Sequence, residues 1–309
     1  ATGMHYASKV FLFLLFFFYG AKLAPRETLL GLKNWRLHAV IFCFTFILFP
    51  IIGVGLKYAT IGWLGQGLAL GLLYLTLVPG TVQSSIAFTS VAHGNVAGAI
   101  VASSLSNILG VFLTPLLVML TMATTGDVHI TGRSILDIFL QILLPFIIGQ
   151  LLHKYLGPGL NRHPILTKTV DRGTIWINVY TAFSQAVVEG VWMRVTALHL
   201  LALVGICIAV VSLVLVLSWC MAKGLGFNRE DCIAAQFCGS KKSLSSGIAM
   251  GAVLFAGSTG ELSAGILMLP LMLFHLFQLL ICAVLAGRYG RQWEREHTHA
   301  HANDQGAAQ

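Results

Sequence analysis

The sequence predicts an all-α polytopic membrane protein with nine transmembrane helices, and three observations carry the prediction. Of 309 residues, 57% are hydrophobic and only 10% charged, with a mean hydropathy of +0.83; soluble domains carry roughly 25% charged residues. Apolar runs near the ~20 residues that cross a bilayer as a helix recur along the whole chain. Lys and Arg also segregate when the connections are assigned alternately to two faces. One face collects Lys22, Arg26, Lys33, Arg36, Lys154, Arg162, Lys168, Arg172, Lys223, Arg229, Arg288, Arg291 and Arg295; the other holds Lys57, Arg133 and Arg194. The positive-inside rule makes the first face cytoplasmic. Ala1 then lies outside and the C-terminus in the cytoplasm. The net charge of +8 is therefore topological and predicts no nucleic-acid partner.

The first run, 4–23, contains Val10-Phe11-Leu12-Phe13-Leu14-Leu15-Phe16-Phe17-Phe18. No basic segment precedes it, as a signal peptide would require. The second run, 36–57, includes Pro50. The third, 63–92, is interrupted at Pro79-Gly80-Thr81-Val82-Gln83-Ser84-Ser85. The fourth, 95–122, includes Pro115; the fifth, sixth and seventh cover 135–155, 169–189 and 198–221. The eighth, 230–255, carries Gln236-Phe237-Cys238-Gly239-Ser240-Lys241-Lys242-Ser243 near its middle, and the ninth, 262–286, includes Pro270. Prolines, glycines and charges bound or break these runs. The charge asymmetry survives only when the third and eighth runs each cross once, despite their polar breaks.

Each broken run precedes a run with an internal proline, Thr114-Pro115-Leu116-Leu117 and Leu269-Pro270-Leu271-Met272. Ala1 in place of an initiator methionine reads as a fragment or processed form. With one helix added before it, the chain divides five plus five, repeat one in 1–122 and repeat two in 134–287. An odd count inverts the second half in the membrane, and paired discontinuous helices in inverted repeats point to a secondary transporter. The membrane domain is thus 1–287 and the cytoplasmic polar tail 288–309. His297, His299 and His301 in that tail are read as incidental and not as a metal site. The six cysteines form no CxxC pair and are read as small buried hydrophobes.

The breaks carry the chemistry. Half-helix N-termini present N–H donors and a partial positive charge; C-termini present carbonyls and a partial negative charge. The first break supplies Gln83, Ser84 and Ser85; the second supplies Gln236, Ser240, Ser243, Ser245 and Ser246, with Lys241 and Lys242. Ser103 and Asn107, four apart, share one face of the following helix. Any one serine is more simply a helix–helix contact, but two clusters together read as a site. A lysine at the bilayer centre costs at least about 2.5–3.5 kcal/mol. An acid is therefore sought as its partner, and Glu189, beside Gln185 at the end of the sixth run, is the candidate. Asp127, Asp137, Asp171 and Asp231 read as loop or terminal residues.

Pro79-Gly80-Thr81 with Ser84-Ser85, then Gly94-Asn95-Val96-Ala97 and Thr114-Pro115-Leu116-Leu117, resemble the bile acid:sodium symporter family. Phe237-Cys238-Gly239-Ser240-Lys241-Lys242-Ser243-Leu244 with Gly247-Ile248-Ala249-Met250 resembles its solute carrier 10 member-seven-like branch and bacterial relatives, as do Gly20-Ala21-Lys22-Leu23 and Trp35-Arg36-Leu37-His38. The resemblance implies ten helices, the first absent here, in a core domain with two crossing discontinuous helices and a panel domain. It places family sodium ligands on Ser84, Ser85 and Ser103, with Thr45 near a family glutamine and Ala99 in place of a serine. The family's shared glutamate falls on Phe237 or Gln236, and the glutamine and asparagine after it become Lys241 and Lys242. A sodium ion there would lose its carboxylate and face ammonium groups, and Coulomb repulsion opposes its binding. Two readings stay open: a lysine replaces sodium on the same oxygens, its proton offering H+ coupling, or a lysine binds an anionic substrate.

The function expected is a secondary transporter, coupled to Na+ or H+, for a small organic anion, in a bacterial inner membrane. The alternative is a non-transporting membrane regulator or scaffold that retains the fold. No nucleophile–base–acid constellation or HExxH motif predicts an enzyme, and nothing builds a channel's ring of carbonyls.

Overall fold

A computed structural model describes residues 2–22, 34–123, 136, 139–162, 164–188, 190, 195–256, 258 and 260–307. Among them every regular element is helical, and no strand occurs. In chain order the longer helices are α1 Thr2–Lys22, α2 Trp35–Leu64, α3 Gln66–Leu77, α4 Gln83–Val91, α5 Val96–Val118, α6 Phe139–Leu151, α7 His153–Arg162, α8 Pro164–Val188, α9 Ala197–Gly224, α10 Arg229–Gly239, α11 Leu244–Leu254 and α12 Ala264–Ala307.

Among the described residues, four helices are long and apolar enough to span a bilayer: α2, α9, the segment Val96–Met122 and the segment Ala264–Glu296. A fifth forms if α6 and α7, bent by 92° at Leu152, count as one span. The chain is thus a polytopic membrane protein. The two broken runs appear as helix pairs, α3 with α4 and α10 with α11, each half too short to cross alone.

Burial arranges these elements from inside out. Every residue of α3 from Gly67 to Leu77 is buried, as is α10 from Cys232 to Gly239. A helix apolar and buried all round belongs at a centre. Longer helices surround the pairs and expose Leu201, Leu213 and Val216 on α9, and Leu276, Leu280 and Val284 on α12. Such rows of exposed large apolar side chains suit contact with lipid.

Helix ends follow local chemistry. Asn95, Thr196, Asn228 and Ser243 cap α5, α9, α10 and α11, each accepting from the N–H three residues on. Glu230 and Asp231 in the first turn of α10 complement its dipole. Helices α1 and α6 approach at glycines: a Cβ on Gly20 would collide with the Phe146 carbonyl, and one on Gly149 with that of Phe17.

Three boundaries depart from expectation. The sequence puts the sixth run at 169–189, but α8 starts at Pro164, whose fixed φ suits a helix start. Asp171 therefore sits two turns inside a helix rather than at its end. The second run extends to Leu64, through a π-turn at Phe44–Leu48. Pro50 lies just after that turn and lacks the N–H that a regular ladder needs. The polar tail begins not as a break but as a continuation of α12 through Ala307. Gln292 and Glu296 are hydrogen-bonded at 2.9 Å within it, an i,i+4 pair that supports helix.

Candidate functional site

The two breaks meet. The Ser243 N–H donates to the Pro79 carbonyl at 2.8 Å, so the loop between α10 and α11 lies on the loop between α3 and α4. Asn107 on α5 stitches both. Its Nδ2 donates to the Gly80 carbonyl at 3.1 Å, and its Oδ1 accepts from Ser246 Oγ at 3.0 Å. Ser246 is also bonded to the Ser243 hydroxyl, through both its N–H and its Oγ.

The end of α3 leaves carbonyls without intrahelical donors, and each from Thr76 to Gly80 has another partner. Thr114 Oγ1 donates to Leu77 O at 2.9 Å. Ser243 N takes Pro79 O and Asn107 takes Gly80 O. Lys242 Nζ takes the other two, Thr76 O at 2.8 Å and Val78 O at 2.9 Å. Its third bond, 2.9 Å long, goes to Thr45 O.

That third carbonyl is available for a local reason. Within the π-turn the Phe49 N–H bonds to Phe44 O, which removes the donor Thr45 O would meet in an α-helix. The donor it would meet by extending the π register is Pro50, which has no N–H. Thr45 O is thus stranded by sequence and filled by an ammonium. Lys242 is fully buried, with Nζ 4.2 Å from the Phe49 ring centroid. Its own peptide is clamped as well: Gln278 Oε1 accepts from Lys242 N and Gln278 Nε2 donates to Lys242 O, both at 2.8 Å.

Lys241, equally buried, turns the other way. Its Nζ donates to Ser84 O at 2.8 Å and lies 3.8 Å from the centre of the Phe88 ring, a cation–π distance. Both ammonium groups therefore have carbonyl partners here. Glu189, the acid sought for them, lies outside the described residues, as do Asp127 and Asp137. Gln185 belongs to α8, but its side chain is outside the described set.

The remaining expected residues divide. Ser84 Oγ and Ser85 Oγ both bond to Thr81 Oγ1, and Ser85 also donates to Phe237 O at the end of α10. Ser103 Oγ meets Cys238 Sγ at 3.6 Å. Gln83 starts α4 and lines a cavity. Gln236 points away from the meeting of the breaks: its Nε2 donates to Leu215 O on α9 at 3.0 Å. Ser240 ends α10 with a buried hydroxyl that has no hydrogen-bond partner among the described residues.

Beside the breaks lies a cavity of about 530 Å³, bounded by α1, α5 and α8 on the other sides. The N-termini of α4 and α11 both reach it, through Val82, Gln83 and Ser84 and through Ser243, Leu244 and Ser245. Two helix N-termini facing one space favour an anion. Lys22 and Lys168 add positive charge, and Lys22 Nζ donates to Thr167 Oγ1 at 3.4 Å. Asp171, read from sequence as peripheral, lines this cavity instead. Its carboxylate accepts from Tyr19 OH at 3.0 Å and from Ser245 Oγ. Gln278 was also missed, although an amide within the apolar stretch 264–286, where His275 is its only polar companion, is itself a signal. Asp231 does lie at a helix end, where it accepts from Asn95 and Asn34 and ties α5 and the start of α2 to α10.

The profile of the SBF-like CPA transporter family matches residues 1–291. "Uncharacterized protein PA2026" of Pseudomonas aeruginosa is 46% identical over 292 residues, 94% of this chain and 86% of that protein. "Putative symporter YfeH" of Escherichia coli is 45% identical over 285 residues, 91% of this chain and 83% of its own length. Sodium/bile acid cotransporter 7 of Xenopus tropicalis is 28% identical over 273 residues, 88% and 78% of the two chains. The resemblance carried by the broken runs thus extends through the whole helical bundle, and the chain belongs to the SBF-like CPA transporter family, a family of transporters and not of enzymes.

Proposed function

We propose that the chain is a secondary transporter that moves a small organic anion by alternating access, coupled to Na+ or H+. The cavity bounded by both half-helix N-termini is its solute site, and Lys242 stands in for one coupling cation. The single observation that carries this is that α4 and α11, far apart in sequence, present their positive ends to one cavity with Lys22 and Lys168. Its volume falls in the roughly 300–1,000 Å³ range of small-molecule sites. The relatives named as a symporter and as sodium/bile acid cotransporters favour the same reading.

The finer topology belongs to this proposal. Nine crossings, with α3–α4 and α10–α11 each counted as one, agree with the loop charges. The pairing of breaks followed by proline-containing helices, Pro115 in α5 and Pro270 in α12, supports an inverted repeat. The cytoplasmic C-terminus and inner-membrane location rest on the same charge count.

Lys242 supports the cation reading by its partners. Three carbonyls around one buried positive charge, with no carboxylate among its hydrogen-bond partners in the described residues, form the oxygen cage a small monovalent ion would use. The lysine brings that charge covalently. Lys241, with one carbonyl and an aromatic face, is left to the solute or to the conformational change.

The test is uptake of radiolabelled organic anions, cholate among them, into proteoliposomes under an imposed Na+ gradient, an imposed pH gradient, or neither. Gradient-driven accumulation supports the proposal and identifies the ion. Specific binding with no flux under any gradient would favour a scaffold that retains the fold.

A further inference from the structure

The carboxylate of Asp171 joins two bodies of the fold. It extends from α8, beside α1, and Tyr19 of α1 donates to it at 3.0 Å. The third member is Ser245 in the first turn of α11, which donates to the same oxygen and lies 3.1 Å from Tyr19 Oη. The contact therefore fastens the N-terminal end of a half-helix to the α1–α8 wall.

Beyond it, among the described residues, α8 and α11 meet through apolar side chains. Ile175 and Val179, one and two turns beyond Asp171 on α8, pack against the cluster of Ile248 of α11 and Met268 of α12, as do Leu244, Ala252 and Met272. Asp171 and Ile175 line the cavity, whereas Val179 and Ile248 do not. The cavity thus ends at this seam. Its other end carries Lys22 and Lys168, and His275 of α12 also lines it.

Apolar contacts are non-directional and can slide. A carboxylate accepting from two hydroxyls is directional, and parting it leaves charge to be solvated again. The polar triangle is therefore the part of the seam that fixes a register. We propose that Asp171 is a positioning residue: through Ser245 and Tyr19 it holds α11 against α8, and this contact must part before the cavity can open at the end beyond Ile175 and Ile248. The proposal rests on the transport reading for its purpose, but its test needs no solute.

The exposed cysteines Cys43 and Cys220 are changed to serine, and Ala252→Cys is introduced in the seam. The protein in lipid vesicles is treated with a membrane-impermeant maleimide, and modification is followed by mass spectrometry. The parent is expected to label slowly. Asp171→Ala and Ser245→Ala should each speed labelling about tenfold, the weight of one charge-assisted hydrogen bond. Together they should label no faster than either alone, because both remove the same interaction. Unchanged modification at the buried Cys207 and Cys282 shows that a variant has kept its fold, and Ser245→Ala removes only one hydroxyl. Rates within about twofold of the parent in both single variants, or effects that multiply, overturn the proposal. Absence of uptake in proteoliposomes would sink the transport reading and leave this result standing.

Discussion

The Lys242 ammonium and the Thr45 carbonyl lie 2.9 Å apart although 197 positions separate them in the chain. With Thr76 O and Val78 O they form a closed set: three carbonyls, each lacking a helical donor, and one group with three protons to give.

Lys242→Ala leaves all three carbonyls buried without that donor. The expected loss is on the order of 3 kcal/mol or more, since unpaired buried groups retain their full desolvation cost. The emptied cage should then accept a small cation. Thermal unfolding in detergent, compared in sodium chloride and choline chloride, is expected to show sodium stabilising Lys242→Ala and leaving the parent unchanged. If sodium has no effect on the variant, Lys242 does not replace a cation.

Lys241 is held by less, and its loss should cost less. Lys241→Met keeps most of the aliphatic stem but forfeits the bond to Ser84 O and the position over Phe88. The penalty expected is about 1–2 kcal/mol. Lys242→Met in the same assay should unfold at a clearly lower temperature, and the reverse order would contradict the carbonyl accounting.

Asn107 works on both breaks at once. On the proposed transport, Asn107→Ala, which removes the amide shared by both breaks, should slow uptake by roughly 2- to 30-fold. The Asn107→Ala and Ser246→Ala pair is the sharper measurement. Their combined destabilisation should fall short of the sum by about 0.5–1 kcal/mol, because Ser246 Oγ donates to Asn107 Oδ1. Full additivity would mean that this bond contributes nothing.

The α1–α6 contact predicts a contrast among glycines. Gly20→Ala and Gly149→Ala each drive a methyl into a backbone carbonyl of the facing helix, and about 1–3 kcal/mol of stability should be lost. Gly55→Ala, where an added Cβ meets nothing within 4 Å, should be neutral or slightly stabilising. Unfolding temperatures of the three variants check the pair against its control.

The places where helices break were legible, because Pro79-Gly80 and the run Ser240-Lys241-Lys242-Ser243 have no business in an uninterrupted apolar helix. The family was legible from the same residues. The particular partners of the lysines were not. One reading set a lysine on the oxygens of a sodium site, and the described partners are indeed backbone carbonyls, but carbonyls that every residue carries do not say which positions supply them; the carboxylate also sought, Glu189, lies outside the described residues. Thr45 was reached only by resemblance, as a side chain, yet its Oγ1 is bonded to Ile41 O and its carbonyl makes the contact. The readable clue was Pro50, five residues on. Asp171 was misjudged because the sixth run starts at 169 in the sequence reading, and a five-residue error in a helix start moved an acid from the inside of a helix to its edge. Gln236 turns toward α9, and its position in the eighth run says nothing about which side of α10 it occupies.

The carbonyl cage of Lys242 also decides what kind of change the protein can drift through. Positions 45, 76 and 78 contribute peptide oxygens, so their side chains can be exchanged with little effect on the cage. A single residue inserted or deleted between 45 and 50, or within α3, is a different matter. It would rotate a carbonyl by about 100° around the helix and carry it out of reach. The constraint is written in spacing rather than in residue identity, and it would be visible as a stretch of fixed length whose letters vary.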